Sequence, residues 1–137
     1  KLLSSSILLI LIKIYIMKAT PNHNKRIANL TCASVFPHYI TKVEWKDRTK
    51  DELHKVLEWL TGNDENQIDK VIEEKVTFQI LFERATLHPN AGLIKGVICG
   101  YRIDELENEL TIQVRYLYKL VGELARDRKM EKILRQA

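Results

Sequence analysis

The sequence predicts an all-α protein, a small orthogonal bundle of short helices packed on one longer helix. Three observations support this prediction. Apolar residues recur at helical spacing in successive segments, most of these segments open with a residue type that caps helix N-termini, and the 137 residues include only five Gly and three Pro. With 45% hydrophobic and 29% charged residues, the composition is that of one globular domain and excludes disordered, collagen-like and repeat-array proteins.

Residues 1–16 differ from the rest of the chain. They contain no acid, no Gly and no Pro, and positions 7–16 are apolar except for Lys13. This stretch is shorter than the roughly 20 apolar residues that a spanning helix needs, and no small-residue cleavage motif follows it. We interpret residues 1–16 as an apolar leader, an upstream extension outside the functional domain. The alternatives are a membrane anchor or uncleaved signal, or an integral part of the fold. Residues 17–137 are expected to form a single helical domain.

The sequence of the first half of that domain predicts an irregular N-terminal segment followed by two helices. Residues 18–31 are polar and contain a proline, so we expect no regular structure there. Ser34–Glu44 is predicted as a helix because its apolar residues share one face and its proline falls in the first turn. Thr49 and Glu52 then have the spacing of a capping box, and Gly62 suits the left-handed position that ends a helix. The helix between them carries an apolar stripe of Leu53, Val56, Leu57 and Leu60.

Two more short helices and a linker follow. Asp64 with Gln67 has the spacing of an N-cap and its N3 partner, and Thr77 is predicted to cap the next helix. Residues 87–92 are rich in turn formers and predict a linker.

The segment 93–103 suits either a strand or a helix. Its Val, Ile and Tyr content favours a strand, yet its apolar residues also recur at helical spacing, and Gly96 and Gly100 would lie on one helix face. Because no second strand is predicted to pair with it, we favour a helix.

A long helix is predicted from the N-cap pair Asp104 and Glu107 to Arg126. At 1.5 Å per residue, a helix of about 22 residues is about 33 Å long. It carries two apolar rows and must therefore be covered on more than one side, so we expect the short helices to pack around it. The rows are Leu110, Val114, Leu117, Val121 and Leu124, and Ile112, Tyr116 and Leu120. Residues 126–129 are expected to form a charged hinge before a small amphipathic end.

Charge and cysteine content argue against several classes of protein. The formal net charge is +4, and residues 17–137 carry 20 basic against 18 acidic side chains, interleaved along the predicted helices. Nucleic-acid binding through phosphate neutralisation is therefore not expected. Cys32 and Cys99 are far apart and the four His are scattered, so we expect no disulfide, no metal and no cofactor, and a cytoplasmic location.

The candidate ligand-binding residues are His38, Tyr39 and Lys42 on the first predicted helix, and Arg115 and Tyr116 on the long one. Two cations one turn apart beside a phenol can hold an anionic ligand. The alternative is structural, with Tyr39 packed inward and Arg115 held in an ion pair with a carboxylate.

We expect no catalytic or metal-binding role for the remaining candidate residues. Cys99 lies between glycines in an apolar segment, where burial raises a thiol pKa, so we expect a packed cysteine and not a nucleophile. His54 is expected on an exposed helix face and His88 in a loop, with no metal-ligand spacing. The chain contains no phosphate-binding glycine loop, nucleophile elbow or zinc-protease motif, and we assign no catalytic residue.

Several strings of residues, in order and at near-constant spacing, resemble the small bacterial proteins grouped as Domain of Unknown Function 2200. They occupy positions 36–44, 48–52, 59–62, 93–100, 114–120 and 130–135. The resemblance covers residues 17–137 and implies a cytosolic, mainly helical bundle with no established activity, cofactor or catalytic residue. The chain departs from the family pattern at Asn108-Glu109, where members have Asp-Pro, and near Asp127, where they have a Gly, which implies softer kinks at both ends of the long helix.

These observations favour a binding or protein-interaction module over an enzyme. No catalytic constellation is present, and the long helix has more apolar rows than a small bundle easily hides, which points to a partner or self-association surface. The alternative is an enzyme or a sensor of a small anionic ligand, with a pocket around His38, Tyr39, Lys42 and Arg115. A membrane partner is expected only if residues 1–16 form a genuine anchor.

Overall fold

A computed structural model describes residues 21–95, 97–98, 101–103 and 108–135. This part of the chain forms seven α-helices, one 3₁₀ helix and a two-stranded hairpin, which confirms the predicted all-α class. The helices are α1 Pro21–Asn29, α2 Cys32–Glu44, α3 Lys50–Thr61, α4 Glu65–Glu73, α5 Phe78–Arg84, α6 Glu109–Ala125 and α7 Met130–Ile133. The 3₁₀ helix is Pro89–Leu93, and the strands are β1 Val97–Ile98 and β2 Tyr101–Arg102.

The long helix α6 is the centre of the bundle. Helices α1, α2, α3, α5 and α7 all pack against it. Its first apolar row is buried from Val114 onward, and in the second row Leu120 is buried while Ile112 and Tyr116 are half-buried. The arrangement of short helices around one longer helix is therefore as predicted; the first apolar row is buried from Val114 onward and the second is buried only in part.

The predicted caps of α3, α4 and α5 are confirmed. In the capping box of α3, Thr49 Oγ1 accepts from the Glu52 N–H at 3.1 Å, while Glu52 Oε1 accepts from the Thr49 N–H at 3.0 Å. Asp64 and Gln67 form the equivalent box on α4, and Thr77 caps α5. Gly62 ends α3 with φ of 75°, in the left-handed region that glycine adopts without steric cost.

The prediction of an irregular N-terminal segment is wrong for residues 21–29, which form α1. Ile27 is fully buried and anchors this helix, so tertiary packing stabilises a short segment whose polar sequence does not signal a helix. Helix α2 begins at Cys32, two residues earlier than predicted, because Thr31 is its N-cap and accepts from the Ser34 N–H. Thr31 also forms an isolated antiparallel bridge with Thr77, which joins the starts of α2 and α5.

The helix favoured for residues 93–103 is wrong. Val97 pairs with Arg102 and Ile98 with Tyr101 in an antiparallel hairpin. The prediction failed because a strand partner was sought elsewhere in the chain, whereas both paired strands lie within this segment. With two residues per strand, the hairpin adds no sheet layer and leaves the fold class unchanged.

The start of the central helix also differs from the prediction. Asn108 is the N-cap and its side chain accepts from the Thr111 N–H at 2.9 Å, so α6 begins at Glu109. The helix has 17 residues, which corresponds to about 26 Å. The predicted N-cap pair at 104 and 107 lies outside the described residues.

The predicted leader, residues 1–16, also lies outside the described residues. Among the helices that the structure describes, none combines the length and apolar character needed to cross a membrane.

Candidate functional site

The packing of α2 on α6 brings two groups of the predicted ligand-binding residues onto neighbouring helices. Lys42 Nζ on α2 lies 4.6 Å from the centre of the Tyr118 ring on α6, within the range of a cation–π contact. Tyr118 is three residues from Arg115, so the two share a face of α6. Lys42 therefore lies against the part of α6 that carries Arg115.

The five predicted residues differ in their access to solvent. Tyr39 and Arg115 are buried, with exposed fractions of 1% and 0%, while His38, Lys42 and Tyr116 are half-buried. An anion arriving from solvent can meet the last three, but it reaches Arg115 only if side chains move. A buried guanidinium needs compensating groups inside the protein, which favours the structural interpretation of Arg115. The anionic-ligand site stays a prediction.

The cysteine that the structure describes is chemically inert. Cys32 is fully buried in the core, and this burial raises the pKa of its thiol to about 12. The nucleophilic thiolate is therefore not populated at neutral pH. Cys99, predicted as a packed structural residue, lies outside the described residues.

The sequence predicted His54 on an exposed helix face. This prediction is wrong, because the residue is only 7% exposed. His54 lies on α3, which packs against α2, α4 and α6, and it also borders a cleft between α3 and the start of α4. Its Nδ1 atom is buried with no hydrogen-bond partner among the described residues. His88 does lie in a loop, where its ring stacks on Trp59 at 4.3 Å and its Nδ1 accepts from the Asn90 N–H.

An open cleft of 500 Å³ lies where α3 meets the start of α4. Asp51, Lys55 and Glu58 recur at the spacing of one helix face and form the α3 side. We call this feature the acidic cleft; it is lined by Asp51, His54, Lys55, Glu58, Asp64, Glu65 and Asn66. Four carboxylates thus face one ammonium group. Among the described residues, no group of three or more His, Cys, Asp or Glu side chains is placed to hold a metal ion.

The acidic cleft belongs to a strongly acidic part of the sequence. Residues 51–74 contain eight acids and two lysines. The chain-wide total conceals this local excess, and the interpretation of interleaved charges overlooked it. Asp51, Asp64 and Glu65 lie at helix N-termini, where the helix dipole stabilises them, so the fold tolerates their mutual repulsion.

A second cavity, of 740 Å³, lies between α1, α5 and the start of α6. Its lining is rich in side-chain amides, and we call it the amide cavity; it is lined by Asn24, Lys25, Ala28, Gln79, Phe82, Glu83, Asn108, Glu109, Leu110 and Gln113. Sequence reasoning missed this site because α1 was not predicted as a helix. The N-cap role of Asn108 was the one local signal available.

A charged network fixes the end of α6. Glu123 is 5% exposed, and both of its carboxylate oxygens accept hydrogen bonds from Arg135 at 2.7 Å. Arg128 adds a contact at 3.2 Å. Arg48 donates to the Arg128 carbonyl at 2.8 Å and so ties the α2–α3 loop to the same place. These contacts hold the C-terminal segment on the bundle, and we assign them a structural role.

Comparison with known proteins now places the chain. The model of a family described as "Uncharacterized protein conserved in bacteria (DUF2200)" matches residues 26–135. The chain belongs to this family. The crystal structure of the uncharacterized protein SP1917 is similar over 85% of this chain and 94% of that one, with a TM-score of 0.76 and 31% sequence identity. The family predicted from the sequence is thus confirmed, and the solved structure of SP1917 has a similar fold. No curated protein matches the chain.

Proposed function

We propose that this member of the family is a binding module whose acidic cleft takes a basic segment of a partner protein. The observation that carries the proposal is the lining of the cleft, in which four carboxylates surround one lysine within an opening of 500 Å³. Lysine and arginine side chains are the complementary groups in proteins, and an extended segment can place several of them along the α3 face.

Charge complementarity at the cleft supports partner binding better than exposed apolar surface does. The second apolar row of α6, which motivated the prediction of a contact surface, is partly covered within the fold, with Leu120 buried and Ile112 and Tyr116 half-buried. The large apolar side chains that are exposed among the described residues are Trp45, Ile80 and Leu93. They come from three separate elements, so the described residues give little support to an apolar interface.

The energetics favour a weak, salt-sensitive complex. An exposed ion pair contributes roughly 0.2–1 kcal/mol, so several pairs formed together give a modest affinity. Charges near the surface are screened over about 8 Å at physiological ionic strength, so the affinity falls as salt is added. Attraction of a basic partner is local to the acidic segment 51–74, because the chain as a whole has a formal net charge of +4.

The test is calorimetric titration of the protein with a short lysine-rich peptide and with a neutral peptide of equal length. The cleft variant is Asp51→Asn with Glu58→Gln, and the matched control is Glu73→Gln with Glu74→Gln, which changes the charge equally outside the cleft. We expect the lysine-rich peptide to bind the parent chain and the control, and the cleft variant to lose about tenfold in affinity, which is about 1.4 kcal/mol. Equal losses in both variants would reveal electrostatic attraction that is not specific to the cleft and would contradict the proposal.

A cytoplasmic location is part of the same proposal, since the two cysteines suggest no disulfide framework. The alternative is an enzyme or a sensor with a pocket around His38, Tyr39, Lys42 and Arg115. It gains no further support from the positions of His38 and Arg115, because one is half-buried and the other is fully buried.

A further inference from the structure

We infer that the amide cavity is a binding site for a small zwitterion of the amino-acid class, a site independent of the acidic cleft. The observation behind this inference is a pair of side-chain amides whose orientation is fixed from inside the protein. Thr111 is fully buried, and its hydroxyl donates to Asn24 Oδ1 at 2.6 Å. Its backbone N–H donates to Asn108 Oδ1 at 2.9 Å.

These two hydrogen bonds determine which end of each amide is available. Because the oxygen of Asn24 and the oxygen of Asn108 are both engaged by Thr111, the NH₂ end of each amide is left to bind a ligand. Neither NH₂ group has a hydrogen-bond partner among the described residues. Two oriented N–H donors, with the exposed ammonium group of Lys25 on the same lining, suit a carboxylate.

The opposite charge is supplied by the other two helices of the site. Glu83 on α5 and Glu109 on α6 bring carboxylates to the lining, and both are exposed. Gln79 donates to Glu83 Oε1 at 3.3 Å, which leaves Oε2 to accept from a ligand. A cavity that offers N–H donors, one cation and two carboxylates matches a molecule that carries both a carboxylate and an ammonium group.

Size and apolar lining fit the same class. The amide cavity is open to solvent, like the acidic cleft, and its volume of 740 Å³ falls within the range of about 300–1,000 Å³ that is usual for small-ligand sites. Phe82, Ala28 and Leu110 give the lining an apolar part that can contact the side chain of an amino acid. Gln113 adds an amide that can donate or accept.

The experiment is a titration of the isotope-labelled full chain with a panel of free amino acids, followed by the backbone amide resonances. For each amino acid, the analogue without the carboxylate and the analogue without the ammonium group are titrated in parallel. We expect at least one amino acid to shift resonances of α1, α5 and the start of α6, and both of its analogues to bind about tenfold more weakly.

Variants test the residues. Glu83→Gln and Asn24→Ala should each weaken binding about tenfold, since each removes a charge-assisted or oriented contact from the surface of the cavity. Glu73→Gln, the same change on α4, should leave binding unchanged. Thr111→Val keeps the shape of the side chain but frees the Asn24 amide to rotate, and should also weaken binding.

Three results would overturn the inference. One is a panel in which no amino acid shifts resonances of the lining. Another is equal affinity for an amino acid and its analogue without the ammonium group, which would indicate an anion site. The third is equal binding by the Glu83→Gln, Asn24→Ala and Glu73→Gln proteins. Because the cleft variant Asp51→Asn with Glu58→Gln should bind the amino acid normally, failure here is distinguishable from failure of the proposed function.

Discussion

Lys75 is a residue whose replacement by glycine should stabilise the protein. It follows α4 in a Schellman motif, in which the Val76 N–H donates to the Val71 carbonyl and the Lys75 N–H donates to the Ile72 carbonyl, both at 3.1 Å. This geometry places Lys75 at φ of 54°, in the left-handed region. For an L-residue with a Cβ, that conformation costs about 1–2 kcal/mol, and glycine avoids the cost.

The expected gain is smaller than that cost. Glycine also adds freedom to the unfolded chain, which lowers stability by about 0.5–1 kcal/mol. We therefore expect Lys75→Gly to raise the free energy of unfolding by about 0.5–1 kcal/mol, measured by urea denaturation monitored by circular dichroism. The neighbouring change Glu74→Gly is the control, because Glu74 has a helical φ of −80°. It should lower stability by about 1 kcal/mol. The reasoning is refuted if both variants shift the transition in the same direction.

Three further predictions concern the core and the charged contacts. With Cys99 replaced by Ser, the Cys32 thiol should resist a thiol reagent in the native protein and react once urea unfolds it; reaction at the rate of a free thiol without unfolding would contradict its raised pKa of about 12. Hydrogen bonds from Arg48 lower the pKa of the Glu52 carboxyl, so the stability that they add is present above the unfolded-state pKa and is lost as the pH falls through the folded-state value. Glu52→Gln should therefore be less stable than the parent at pH 7, with the difference fading in acid; a difference independent of pH would refute this. Glu123→Gln removes the buried carboxylate that pairs with the half-buried Arg135 guanidinium and should cost about 1.5–3 kcal/mol, so an unfolding midpoint equal to that of the parent would contradict the structural role of this network.

The caps and apolar stripes of α3, α4 and α5 were predictable because their signals are local. A capping box satisfies backbone N–H groups with side chains three residues away, so Thr49 with Glu52 and Asp64 with Gln67 are recognisable without any tertiary information. The same holds for Gly62, whose left-handed conformation follows from its position after an apolar stripe.

The elements that sequence reasoning missed depend on partners distant in the chain. Helix α1 forms because Ile27 is buried against the bundle, and its own polar sequence does not signal that contact. His54 is buried on a helix that packs against three others, α2, α4 and α6, and these contacts are distant in the sequence or depend on how α4 follows α3. The hairpin within 93–103 required recognising that one short segment pairs with itself.

The start of α6 shows a signal that was present but was interpreted differently. The family pattern implied by the resemblance has Asp-Pro where this chain has Asn108-Glu109. Asp is a preferred N-cap and Pro is favoured at the first helical position, so the pattern itself marks a helix start at this point. Asn108 preserves the cap. The Gly that the resemblance implies near Asp127 would also suit the structure, because Asp127 has a φ of 62°, in the left-handed region that glycine adopts without steric cost.

The two candidate sites differ in how far sequence alone could reach them. The acidic cleft follows from a segment with eight acids and two lysines, so a charge count by segment would have found it. The amide cavity joins α1, α5 and α6, and the contact between Thr111 and Asn24 spans 87 positions of the chain. Nothing local in the sequence indicates that contact.

The most direct test of the proposed function is a resonance-by-resonance map of where a basic segment binds. The labelled full chain is titrated with the lysine-rich peptide at low and at physiological salt. The account predicts that the largest shifts fall on amides of α3 and on the start of α4, and that they weaken as salt is added. Shifts scattered over the whole surface, or concentrated on α1, α5 and α6, would contradict it.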